Sequence, residues 1–207
     1  VHLPYPEEMN RVLTDKISSL LFAPTDKSAK NLIDDQIDED NIIITGNTVI
    51  DALFYTLPKA REFKITNSKI NNLNPGKKII LVTTHRRENW GEPLQDICKA
   101  LKELSSQCVE IIYPVHPNIN VKPIVESILS DIPNIHLIEP VDYIEMIKLM
   151  DMSYIILTDS GGLQEEGPSL GKPVLVMRKT TERPEAIMAG TVWLTGTDKK
   201  EIVNSVN

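Results

Sequence analysis

Between Tyr154 and Met177 the chain reads YIILTDSGGLQEEGPSLGKPVLVM. Tyr154–Thr158 is a short apolar, β-branched run. Asp159-Ser160-Gly161-Gly162 is a polar turn, Leu163–Leu170 an amphipathic stretch, and Pro173–Met177 a second apolar run. Run, turn, amphipathic stretch and run make one βαβ unit, in which a helix carries the chain back so that both strands point the same way.

The same alternation extends outward in both directions. Further runs lie at Lys78–Thr84, Val109–Val115 and Asn134–Ile138, with a weaker one at Thr191–Leu194. Between the runs lie helical stretches at Leu94–Leu104, Val121–Leu129, Tyr143–Met150 and Arg183–Met188. Leu94, Ile97, Cys98, Leu101 and Leu104 keep the spacing of three and four that puts them on one helix face. The runs are almost unbroken Ile, Leu and Val, as expected of a parallel sheet covered by helices on both faces. The expected fold class is therefore α/β, with a doubly wound parallel sheet over residues 77–207.

Residues 1–76 read differently. Glu7–Leu20 reads as a helix and Leu21–Ala23 as a very short strand. A second helix starts at Pro24-Thr25 with Thr25 as its N-cap and runs toward Ile33. Ile42–Thr45 is a strand, and Gly46-Asn47 opens a third helix through Leu57. Residues 58–76, with an Asn-Pro-Gly, read as a connector. Residues 1–57 hold too few strands for a core of their own and read as the tail of a preceding α/β domain. Residue 1 is Val rather than Met, as a cut or processed N-terminus would give.

Composition narrows the function classes. Of 207 residues 41% are hydrophobic and 25% charged, which supports a packed core. The net charge of −7 is the wrong sign for a general nucleic-acid binder. No apolar run approaches the roughly 20 residues of a membrane helix. Cys98 and Cys108 form neither a zinc pattern nor a disulfide framework, and the reading is a reducing, cytoplasmic compartment.

Ligands of open parallel sheets bind beyond the carboxyl ends of the strands. The first exit carries His85, Arg86, Arg87 and Asn89, a set suited to an anion. The second carries His116 between Pro114 and Pro117, as readily a structural hydrogen-bonding residue as a ligand. After Thr158, Ser160-Gly161-Gly162 offers free amides at a helix start, and Glu166 lies within reach of ribose hydroxyls. The last polar exit brings Arg178, Lys179 and Arg183. Together these exits point to a diphosphate at the carboxyl edge. Glu7 and Glu8, at the start of a helix, read on their own as favourable end charges.

These motifs resemble a known family. Thr84-His85-Arg86-Arg87-Glu88-Asn89, Pro114-Val115-His116-Pro117-Asn118, Thr158-Asp159-Ser160-Gly161-Gly162 with Gln164-Glu165-Glu166, Gly171-Lys172-Pro173-Val174-Leu175 and Thr181-Glu182-Arg183-Pro184-Glu185 resemble the non-hydrolysing UDP-N-acetylglucosamine 2-epimerases. Pro6-Glu7-Glu8-Met9-Asn10-Arg11 and Thr45-Gly46-Asn47-Thr48-Val49-Ile50-Asp51 match as well, so the resemblance covers nearly the whole chain.

It implies a GT-B pair of Rossmann-like domains, here the C-terminal part of the first (1–57), a connector (58–76) and the UDP-binding second domain (77–207). The closing helix and the front half, with two of three catalytic carboxylates, would lie outside this sequence. His85 and Arg183 become contacts to the nucleotide diphosphate, with Ser160, Gly161 and Gly162 giving helix-end amides and Glu166 the ribose clamp. Glu7 and His85 become the catalytic residues, Glu7 as a carboxylate, reversing its reading as an end charge. Val141 and Met146 would flank the uracil, Met146 standing where an aromatic residue is common. Arg86 and His116 correspond to contacts with a second, regulatory substrate molecule in some bacterial members.

The implied reaction interconverts UDP-N-acetylglucosamine and UDP-N-acetylmannosamine through elimination of UDP, with no cofactor and no metal, for a surface polymer. The partners implied are the sugar nucleotide and UDP, with no nucleic acid and no membrane, and a homodimer. A GT-B glycosyltransferase using a UDP-sugar and an inactive UDP-binding module are the other readings.

Overall fold

The structure, a computed structural model, describes residues 6–71, 73–181 and 184–207, with the backbone alone of Glu7, Pro184 and Glu185. The chain divides into two compact units, residues 1–52 and 53–207.

In the smaller unit, α1 (Glu7–Ile17) leads to β1 (Leu21–Ala23), α2 (Asp26–Asp34) and β2 (Ile42–Ile44). The two strands pair in parallel, Leu21 opposite Ile42. Leu21, Ala23, Ala29 and Leu32 form a small core. α1 stops at Ile17, short of the expected Leu20, because Ser18 leaves the helical conformation and its hydroxyl donates to the Thr14 carbonyl. Serine competes in this way with the backbone's own ladder. Thr25 caps α2 as expected, its Oγ1 accepting from the Ser28 amide at 3.1 Å. Arg11 ties the unit together, reaching Glu8, Asp15 and Asp35 at 2.6, 2.6 and 2.9 Å.

α3 (Val49–Glu62) runs on through Pro58, past the expected end at Leu57. A proline inside a helix forfeits one backbone hydrogen bond. Here Leu57 and Ala60 are buried, Arg61 pairs with Asp151 at 2.9 Å, and the Arg61 carbonyl accepts from Lys148 at 2.7 Å. Those contacts hold the last turn in place. The segment read as a connector is thus helical at its start, and further along it buries Ile70.

The larger unit contains a six-stranded parallel sheet. Its strands are β3 (Lys78–Thr83), β4 (Val109–Pro114), β5 (Ile135–Ile138), β6 (Ile155–Thr158), β7 (Val174–Val176) and β8 (Val192–Leu194), in spatial order β5-β4-β3-β6-β7-β8. Each lies within the run read from the sequence. The connecting helices are α4 (Glu92–Leu104), α5 (Lys122–Leu129), α6 (Tyr143–Met152), α7 (Leu163–Ser169) and α8 (Pro184–Met188), followed by α9 (Lys199–Val206). α9 was not read from the sequence, although Asp198 caps it, accepting from the Lys200 and Glu201 amides.

The period of two along the strands builds two cores. Ile80, Val82, Ile111, Tyr113 and Leu157 face one way, packed with α4, α5 and α9 residues such as Leu101, Val125 and Ile202. Leu81, Ile112, Ile156 and Val174 face the other, against Leu53, Leu57, Ile147 and Leu163. Helices therefore cover both faces, which is why the strands tolerate no polar alternation. At Gly167 the helix lies so close to the sheet that an added Cβ would stand 2.5 Å from Val174 Cγ2 and 3.1 Å from Ile156 Cδ1.

Candidate functional site

The strand order reverses between β3 and β6. The chain leaves β3 toward β4 on one side and leaves β6 toward β7 on the other, so the two departing loops open a crevice at the carboxyl edge. Thr83 and Thr158, the last residues of these strands, join their hydroxyls at 2.6 Å. Thr158 Oγ1 also accepts from the Ser160 amide at 2.9 Å, which fixes the start of the glycine turn.

At the floor of the crevice sits Asp159, whose side chain is 0% exposed. Oδ2 accepts from the His85 amide at 3.0 Å, the Arg86 amide at 2.9 Å and Asn89 Nδ2 at 2.9 Å. Oδ1 lies 3.1 Å from the His85 amide and 3.1 Å from His85 Nδ1. Burial alone would push this carboxyl up. The hydrogen bonds from the His85 ring and from the Arg86 and His85 amides outweigh it and hold the group below the usual carboxylate range. One buried carboxylate just past β6 thus organises the whole loop after β3. The His85 side chain is 42% exposed, and its ring stacks on that of His116 at 6.4 Å between centroids.

Two residues read as anion contacts serve the scaffold instead. Asn89 is buried, and its amide nitrogen also donates to the Met177 carbonyl at 3.1 Å, which joins the β3 and β7 exits. Arg178 is buried, and its Nε donates to Glu88 at 2.6 Å. A loop rich in polar residues needs internal partners before it can present any to a ligand.

Beyond Ser160 the turn enters α7. The Ser160 amide is engaged by Thr158, whereas the Ser160 hydroxyl and the Gly161 and Gly162 amides have no hydrogen-bond partner among the described residues. Gln164 Nε2 donates to the Ser160 carbonyl at 3.0 Å, and Thr181 Oγ1 donates to Gln164 Oε1, tying the turn to the loop after β7. Glu166, only 8% exposed, accepts from Tyr143 Oη at 2.9 Å. Burial raises this carboxyl, and the nearby Glu165 charge adds to the rise against the opposing hydrogen bond from Tyr143. Burial and the Glu166 partner in turn push the Tyr143 hydroxyl up to about 12.

Val141 and Met146 lie just before and within α6, half-buried against the core face that holds Ile112 and Ile156. His116 follows β4, with its Nδ1 accepting from the Asn118 amide at 3.2 Å. Arg86 stands beside His85 with its amide on Asp159. Glu7 is the first residue of α1, in the smaller unit, with its side chain outside the description; Arg183 lies outside the described residues. Among the described residues, no cluster of His, Cys, Asp or Glu could hold a metal ion.

The sequence alone assigns no role to Asp159 or Tyr143. The signal for Asp159 was its place between two glycine-turn residues and an apolar strand, where a lone acid must find donors or stay in water. Tyr143 carried no such signal, because its partner is 23 residues away in sequence.

An open parallel sheet with its histidine, buried aspartate, glycine turn and buried glutamate at the switch point defines a Rossmann-like domain, a class that takes its ligand at this edge. Comparison with known proteins narrows the class to a family. The family described as UDP-N-acetylglucosamine 2-epimerase matches residues 1–207, and the chain belongs to it. It is 53% identical over 209 residues to the UDP-N-acetylglucosamine 2-epimerase of Campylobacter jejuni, covering 97% of this chain and 55% of that protein. With the enzyme of Salmonella typhimurium it shares 50% over 212 residues, covering 100% of this chain and 56% of the relative. The crystal structure of the Neisseria meningitidis enzyme bound to UDP-GlcNAc superposes with a TM-score of 0.89 at 46% identity, covering 98% of this chain and 56% of that one. The chain thus spans a little over half the length of the relatives it matches.

Proposed function

We propose that the intact protein interconverts UDP-N-acetylglucosamine and UDP-N-acetylmannosamine, and that this chain supplies the seat of the uridine nucleotide. The observation that carries the reading is the convergence of His85, Ser160, Gly161, Gly162 and Glu166 on the β3/β6 crevice in a chain of this family. The diphosphate lies between the exposed His85 ring and the Gly161 and Gly162 amides, with Arg183 assigned as a further contact. Ser160 serves through its hydroxyl, since its amide is already committed to Thr158. Glu166 accepts from the ribose, and Val141 and Met146 border the uracil. Residues 1–57 are the end of a first Rossmann-like domain, residues 58–76 join it to the second, and residues 77–207 are the UDP-binding domain.

The chemistry follows from the substrate. The hydrogen on sugar carbon 2 is not acidic enough for direct exchange, so the route is elimination of UDP across carbons 1 and 2, giving 2-acetamidoglucal, and re-addition with the proton delivered to the other face. A carboxylate takes the proton. Glu7 is one such group; the chain spans only part of its relatives' length, and turnover is assigned to the intact protein. As the carbon–oxygen bond breaks, charge develops on the leaving diphosphate, and preorganised donors lower that barrier most.

The family match over residues 1–207 favours this reading over a glycosyltransferase. The intact enzyme works as a homodimer in the cytoplasm, a compartment supported by two free cysteines, one of them, Cys98, buried with its thiol pushed up to about 12. Among the described residues, no helix is long and apolar enough to cross a membrane. We assign Arg86 and His116, by the family resemblance, to contact with a second, regulatory substrate molecule. The test is incubation of the intact protein with UDP-N-acetylglucosamine in heavy water. Deuterium at carbon 2 with release of some glucal and UDP is expected; transfer to an added acceptor, or no exchange, would overturn the reading.

A further inference from the structure

Asp159 is more thoroughly engaged than a loop anchor requires. Its Oδ2 already accepts three donors, the His85 and Arg86 amides and Asn89 Nδ2, and these hold the loop. Its Oδ1 is turned to the His85 ring, 3.1 Å from Nδ1. An ionised carboxylate only accepts, so Nδ1 is the atom that carries the proton. Nε2, on the far side of a ring that is 42% exposed, has no hydrogen-bond partner among the described residues. Among the described residues, the His116 ring stacks on that of His85 at an interplanar angle of 28°.

Donor counting then fixes what the ring must become. A phosphate oxygen accepts and does not donate, so a contact to it requires a proton on Nε2. With the Nδ1 proton already committed, both nitrogens donate and the ring carries a full positive charge. We propose that Asp159 is a positioning residue that commits the Nδ1 proton of His85, so that the ring meets a bound diphosphate as a doubly protonated donor, one N–H held by Asp159 and the other given by Nε2 to the phosphate. The inference rests on the proposed function in that it takes the diphosphate to lie against His85. The arrangement supplies a charge-assisted contact that strengthens as the leaving group gains charge.

Replacement by asparagine isolates this role. In Asp159→Asn the amide oxygen takes the Oδ2 position, where three donors converge, and the NH2 group takes the Oδ1 position. The NH2 then donates toward Nδ1, which must become an acceptor, so the proton moves to Nε2 and the ring stays neutral. The loop keeps its anchors while the ring loses its charge.

The test is 15N NMR of the His85 ring in the chain at about pH 8, above the ordinary imidazole range, free and titrated with UDP. Without ligand, a proton on Nδ1 is expected; a neutral ring protonated on Nε2 overturns the inference. With UDP bound, both nitrogens should be protonated, and a ring still neutral overturns it as well. Asp159→Asn should show the neutral Nε2–H form with UDP bound and a dissociation constant raised about 10-fold. A variant that keeps the wild-type ring signature, and merely melts earlier, shows a structural role alone. If the variant does not fold, the wild-type ring signals decide. Failure of UDP to bind would count against the proposed function, while the ligand-free ring would still decide the role of Asp159.

Discussion

Glu166 is buried beside Tyr143, and its folded-state pKa is raised above the ordinary glutamate value. An acid raised in this way is a stability cost at neutral pH, relieved as pH falls through the raised value. Glu166→Gln keeps an acceptor for Tyr143 and removes the charge, so its melting temperature at pH 7 should equal or exceed that of the wild type. UDP affinity should fall about 10-fold as a charge-assisted bond is lost. Calorimetric melting and titration check the two halves, and a lower melting temperature with unchanged affinity would show a carboxylate kept for structure.

Asp159 has the opposite sign. Its folded pKa is depressed below the ordinary value, so its contribution is present above that value and lost as pH falls through the folded one. Urea unfolding below about pH 4 should show a steeper acid loss in the wild type than in Asp159→Asn. For Arg183, the charge-assisted contact implies that Arg183→Ala raises the UDP dissociation constant about 10-fold or more. These residue-scale facts were only partly legible. His85, the glycine turn and Glu166 stand out as chemistry-bearing types at strand exits, whereas the partners that orient them, Asp159 and Tyr143, are selected by burial and by contacts distant in sequence.

Strands and helices were far more legible than their ends. Each strand of the large sheet falls within a run dominated by Ile, Leu and Val, because burial on both faces favours apolar residues and admits a polar one such as Glu110 only with partners, here Lys77 and His136. Ends depend on single hydrogen bonds, such as the Ser18 hydroxyl that stops α1, and on packing that carries α3 through Pro58. α9 escaped notice because its apolar positions Ile202, Val203 and Val206 are few and are recognisable as a face only once α4 lies against them. At the element scale the sharpest prediction concerns α7. Gly167→Ala places a methyl group 2.5 Å from Val174 Cγ2, so helix and sheet must part. An unfolding free energy lower by about 1–3 kcal/mol is expected from denaturant titration, and an unchanged value would mean that the helix shifts freely. In the smaller unit, α2 closes through Gln36 at φ 63°, a conformation that favours glycine. Gln36→Gly should therefore stabilise the chain by about 0.5–1 kcal/mol in the same assay.

For the whole molecule, the order β5-β4-β3-β6-β7-β8 does the organising. It sets two loops apart at one edge, and every group assigned to the uridine nucleotide within the described larger unit stands at or beside that edge. The alternation of runs and helices made the parallel sheet readable, but not the strand order, because order is decided by which strands pair and not by their composition. That order turns a list of polar exits into one crevice, and the crevice joins the family match to a chemical reading. The chain alone is expected to bind UDP weakly and to turn nothing over, a point checked by assaying it beside the intact protein.

The most direct measurement is a crystal structure of the chain with UDP. The diphosphate should lie between the His85 ring and the Gly161 and Gly162 amides, with the ribose on Glu166. A nucleotide seated anywhere other than the carboxyl edge of β3 and β6 would contradict the account.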